Sequence, residues 1–183
     1  MLDRVRNWGG TEAEHARRYP CDAYLADPVE RLTRAITVQA PAALVYRWLC
    51  QLSVAPYSYD WLDNLGRRSP RTLTPGAGEL RVGQRLMVFD LVEVEPGHRF
   101  SGRSHRAAER LFGPVAGTYV VEPLDAGSCR LVCRLVLGPR RPLGRCWATA
   151  LACGDLIMMR KQFLTFKRLA ERDARAAGGN VRA

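Results

Sequence analysis

The chain is almost without lysine. Lys161 and Lys167 are the only two in 183 residues, and arginine carries nearly all of a formal charge of +10, with a sequence pI near 9.9. The arginines stand singly or in pairs such as Arg17-Arg18, Arg67-Arg68 and Arg140-Arg141, with no run of five basic residues. Nucleic-acid binders concentrate charge on one face or helix, so this scatter reads as solvated surface and no nucleic-acid partner is expected. Histidine is also scarce. His15, His98 and His105 have neither a metal-ligand partner four residues on nor an adjacent nucleophile motif, so they read as surface residues. Only His105, beside Arg103 and Ser104, falls near a plausible cavity rim. The six cysteines contain no Cys-x-x-Cys pair and no histidine at zinc-finger spacing, which excludes a zinc site by pattern. The N-terminus lacks the apolar core of a secretory signal, so the thiols read as reduced core residues of a cytoplasmic protein.

Long apolar runs are missing as well. The segment from Cys146 to Met159 carries one charge, Asp155, but its 14 residues fall short of the roughly 20 that a membrane span needs. It continues into Arg160 and Lys161 and reads as a buried helix. With no Gly-rich phosphate loop, dinucleotide fingerprint or metal cluster, no cofactor or metal is expected.

What is present is the balance of a folded domain, 47% hydrophobic and 25% charged, at a length that suits one core. Residues 1–30, punctuated by Gly9-Gly10, Pro20 and Pro28, read as a polar arm that Trp8, Tyr19, Tyr24 and Leu25 pin to the domain. The domain itself is placed at 31–173, followed by a flexible tail at 174–183. Ile36 and Val38 alternate with Thr37 and Gln39 as in a strand, and Pro41 opens a helix with Leu44, Val45, Trp48, Leu49 and Leu52 on one stripe. YSYDWLDNLG, 57–66, predicts a short second helix, and the Pro/Gly-rich stretch 67–83 a loop. Four β segments follow at about 86–94, 99–104, 116–122 and 129–137, with 104–115 a loop or short helix that leaves room for another pairing strand. Leu156, Met159, Phe163, Phe166 and Ala170 then mark a long amphipathic helix over about 145–172. This order implies an α+β domain whose antiparallel sheet carries its helices on one side.

TRAITVQAPAALVYRWLCQL, YSYDWLDNLG, LRVGQRL and GDLIMMRKQFLTFKRLAE, in that order, resemble the SRPBCC superfamily, the START-related, polyketide cyclase/dehydrase-like group. WGGTEAEHARRYPCD is similar to an actinobacterial-type subgroup within it. The resemblance implies a helix-grip fold, a curved sheet around a long C-terminal helix. It also implies a cavity between the two for a lipid-like or polyketide-like molecule, in a family that includes both binders and cyclases. Fold alone does not choose between these roles.

In such a pocket, ligand-binding side chains are expected from Trp48, Tyr57, Tyr59, Trp61 and Asn64, from Met87, Phe89 and Arg103, and from Met159 and Phe163. Tyr57, Asp60 and Arg134 are the candidates for proton transfer on a carbonyl substrate. If 57–66 is helical, Tyr57, Asp60 and Asn64 share a face. The competing reading makes Asp60 a cap or ion-pair partner and the aromatics packing residues. Arg134, mid-strand between Val132 and Val136, either grips a ligand carboxylate or carbonyl or extends outward from a solvated sheet face.

Overall fold

The computed structural model describes residues 5–64, 66–139 and 144–179. Its elements are β1 (Asn7–Trp8), α1 (Glu12–Ala16), β2 (Glu30–Val38), α2 (Ala42–Cys50), α3 (Asp60–Asp63), β3 (Arg85–Leu86), β4 (Phe89–Glu95), β5 (Arg99–Ser104), α4 (Arg106–Phe112), β6 (Val115–Pro123), β7 (Cys129–Leu137) and α5 (Gly144–Gly179). Seven strands form one sheet in the order β1-β2-β7-β6-β5-β4-β3. All pairs are antiparallel except β1 with β2. The molecule is a helix-grip α+β domain: an open curved sheet, two short helices after β2, and a long C-terminal helix against the concave face.

Strand alternation sorts β7, with Cys129, Leu131, Cys133, Leu135 and Leu137 toward the helix in one apolar cluster. The opposite face is not solvated. Val132 and Val136 join Ala35, Ala116 and Val120 in a second cluster capped by Tyr19 and Cys21 from the N-terminal arm. The sheet is thus apolar on both sides, and the arm supplies the outer layer.

Several boundaries differ from the sequence expectation, and three of them have a clear local reason. Pro41 caps α2 from an extended conformation, its carbonyl accepting from Leu44 and Val45, so the helix begins one residue later, at Ala42. The strand expected over 86–94 is a hairpin that turns at Met87, where φ is +53°. No glycine or proline announces that turn. At the C-terminus α5 continues past Arg172 to Gly179, while the remainder of the expected tail, 180–183, lies outside the described residues. Among the described residues no helix is long and apolar enough to cross a membrane.

Candidate functional site

α5 supplies the inner wall. Met159, Phe163 and Phe166 are buried and belong to the same cluster as the inward side chains of the sheet. Their rings reach across the gap: Phe163 lies 6.4 Å from the Tyr119 ring, and Phe166 lies 5.1 Å from Tyr57. The centre of the expected hollow is therefore occupied by side chains. Phe89 fills part of it in a way glycine permits, since a Cβ at Gly117 would stand 3.2 Å from its ring and one at Gly102 would stand 2.8 Å from its Cβ.

Polar atoms nevertheless line this apolar gap. The Tyr119 hydroxyl donates toward Met159 Sδ and Gln162 Oε1, both at 3.4 Å. Gln162 Nε2 donates to the Pro56 carbonyl at 2.7 Å and approaches Met87 Sδ at 3.9 Å. Next to Pro56, Tyr57 sits in the left-handed region at φ +57°, wedged between Trp48 and Phe166, with 1% of its surface exposed. Its hydroxyl is buried without a hydrogen-bond partner. Burial, reinforced by the negative charge of Asp60, pushes that phenol up to about 12. A non-glycine residue held with positive φ and an orphaned hydroxyl costs stability, the kind of strain that gathers at ligand sites.

Deeper on the concave face, Arg34 of β2 is fully buried and pairs with Asp155 of α5 at 2.8 Å. Its remaining donors reach the carbonyls of Arg6, Thr33 and Ala152. Burial raises the Asp155 carboxyl to about 6, and the Arg34 guanidinium only partly offsets that rise. The residue pattern held a signal for this pair. Arg34 shares strand parity with Ile36 and Val38, and Asp155 is the lone charge in an apolar helical run.

The structure gathers part of the expected site and disperses the rest. Trp48, Tyr57, Phe89, Met159 and Phe163 meet in the concave core. Tyr57 precedes α3 instead of lying on it, so it shares no helix face with Asp60 and Asn64. Asp60 accepts from the backbone and hydroxyl of Ser69, at 2.9 and 2.5 Å, and Asn64 donates to the Arg67 carbonyl, so both serve loop closure. Trp61 is 74% exposed. Arg103 is exposed at the start of the β5–β6 pairing, and Met87 is 38% exposed at its hairpin tip. Tyr59 lines a shallow cleft of about 290 Å³ with Trp8, Leu156, Ile157 and Arg160, on the flank of α5 outside the gap. Arg134 lies neither in the gap under α5 nor on a solvated face. It points to the convex face, where Nη2 donates to the carbonyls of Glu14, His15 and Arg17 and the guanidinium stacks 5.1 Å above Tyr19. Arg34, Tyr119, Asp155 and Gln162 also bring polar groups into this interior, and the sequence analysis singled out none of them for a site.

Residues 30–171 match the family described as polyketide cyclase / dehydrase and lipid transport. The chain belongs to that family. The match begins with β2, so the arm that covers the convex face precedes it. Similar solved structures include protein MLL2253 from Mesorhizobium loti, with a TM-score of 0.50 at 17% identity over 78% of this chain and 98% of that one. A Thermobifida fusca protein gives 0.49 at 16% over 76% and 94%. The Zhui aromatase/cyclase of a Streptomyces species gives 0.42 at 18% over 80% and 93%. At 17% identity the likeness to MLL2253 is one of fold alone. No curated protein matches the chain.

Proposed function

We propose that this member of the polyketide cyclase / dehydrase and lipid transport family binds a small, largely apolar, carbonyl-bearing molecule between its sheet and α5. The observation that carries this reading is Tyr57, whose buried hydroxyl has no partner and whose backbone is held in a costly conformation facing the apolar core. A ligand carbonyl accepting from that hydroxyl would satisfy it. The guest takes its space by displacing Met87 at the mouth and Met159 within, since unbranched thioether chains repack at low cost. Affinity then comes from apolar burial at roughly 25 cal/mol per Å², with Tyr57 and Gln162 setting orientation. Among the described residues Cys21, Cys50, Cys129 and Cys133 are buried free thiols, which fits a reducing compartment and supports a cytoplasmic site of action.

Native mass spectrometry of gently purified protein should show a retained lipid-like or polyketide-like mass. In a thermal-shift panel of apolar carbonyl compounds, Tyr57→Phe should weaken the best ligand by about fivefold to tenfold, the worth of one hydrogen bond. Bare protein in every preparation, together with no shift across the panel, would overturn the reading.

A second reading, catalysis of the cyclase or dehydratase type in the same gap, is favoured by Asp155. A carboxyl raised to about 6 is suited to exchange protons near neutrality, and Tyr119 faces the same interior. Asp155→Asn should then abolish turnover of a β-dicarbonyl substrate while binding persists. If binding and turnover fall together, the pair is structural.

A further inference from the structure

The convex face carries a second, larger cleft, of about 490 Å³, remote from the gap under α5. Its wall includes four arginines, Arg17, Arg18, Arg31 and Arg134, with His15 and Tyr19, against the single carboxylate of Asp22. Two of the four also hold single ion-pair contacts, Arg17 with Glu122 and Arg31 with Asp22, and both side chains stay about half exposed, so their other donors are open to a ligand. Arg18 is exposed on the rim. Arg134 differs in kind: it is 1% exposed, it takes part in no ion pair among the described residues, and its Nε and Nη1 have no hydrogen-bond partner. Three backbone carbonyls and the Tyr19 ring engage one side of the guanidinium, but none of them brings a countercharge. A desolvated cation with idle donors beside a basic cleft is incomplete as it stands, because a buried charge is normally both paired and hydrogen-bonded.

We infer that this cleft binds a phosphate-bearing molecule, whose anionic oxygens pair with Arg134 from within and with Arg18 and Arg31 at the rim. The planar guanidinium fork suits phosphate oxygens, and the volume exceeds what a lone ion needs and falls in the range of small-molecule sites. The site draws three of its arginine-bearing positions from the arm and β2 and the fourth from β7, so an occupant would also tie the arm to the sheet.

The test is a calorimetric titration of the full chain with pyrophosphate at fixed ionic strength, alongside co-sedimentation with phosphatidic acid vesicles and with phosphatidylcholine vesicles. Saturable pyrophosphate binding, with a dissociation constant of about 1 mM or lower, supports the site and marks the ligand as soluble. Retention on phosphatidic acid vesicles alone supports it with a lipid headgroup as the source. Arg134→Gln risks releasing the arm, so Arg18→Glu and Arg31→Ala are the working variants, each expected to weaken binding by about tenfold. Pyrophosphate should also slow tryptic cleavage after Arg17 and Arg18 in the wild type. Absence of binding in both arms, or binding that Arg18→Glu and Arg31→Ala leave unchanged, overturns the proposal.

Discussion

At the scale of single residues, the two most informative side chains are an acid and a phenol whose environments run against their ordinary chemistry. Asp155 has its folded-state carboxyl raised from 3.8 to about 6 by burial. Its neutral form is therefore favoured by folding, and the stabilisation this brings is complete below the unfolded value and lost as pH rises through about 6. Asp155→Asn removes that titration. The stability difference between variant and wild type should move in the variant's favour by up to about 2 kcal/mol between pH 4 and pH 7, as read by urea denaturation at the two values. A flat difference would show that Arg34 already compensates the charge in full. Tyr57→Phe deletes a hydroxyl that has no partner, so folding stability should be unchanged or rise by up to about 1 kcal/mol, in contrast to a hydrogen-bonded tyrosine. Neither environment was readable from the sequence beyond parity and spacing. Those placed Arg34 on an apolar strand face and Asp155 in an apolar helix, but pairing across 121 positions needs the three-dimensional fold.

Among elements, the long helix and the four antiparallel strands β4 to β7 were legible because each repeats one period over several residues, as in Leu156, Met159, Phe163 and Phe166. The short elements were not. β3 and the Met87 turn lack any glycine or proline signal, and YSYDWLDNLG yields only the four-residue α3 because Pro56 and the left-handed Tyr57 interrupt it from the N-terminal side. β1 is two residues long, and its docking depends on Gly9, where φ is +73° and a Cβ would stand 2.2 Å from the Ala35 carbonyl oxygen. Gly9→Ala should therefore undock β1 from β2 at a cost of about 2 kcal/mol, seen as faster hydrogen exchange at β2. Gly78→Ala, where nothing lies within 4 Å and φ is not positive, should be neutral to slightly stabilising in the same assay. Equal effects at both positions would mean that the arm does not rely on this close approach.

For the molecule as a whole, the sheet carries a buried arginine on each face, and both depend on the arm. Arg34 and Arg134 occupy neighbouring strands at adjacent register positions, one facing α5 and the other facing out. Arg34 donates to the Arg6 carbonyl, while Arg134 donates to carbonyls from Glu14 to Arg17. The arm lies ahead of the residues that match the family, yet it accepts hydrogen bonds from both arginines of the matched domain and covers Val120, Val132 and Val136. Removing residues 1–28 would expose that apolar patch and strip Arg134 of its hydrogen bonds, and breaking the support of a buried charge costs about 3–5 kcal/mol. The truncated chain should therefore lose most of its stability margin and aggregate on mild heating. Arg134→Met within the truncated chain should recover part of that loss, because an apolar isostere needs no carbonyls. The same substitution in the full chain should instead loosen the arm and hasten tryptic cleavage near Arg17. A truncated chain as stable as the full one would mean that the arm covers the sheet without supporting it.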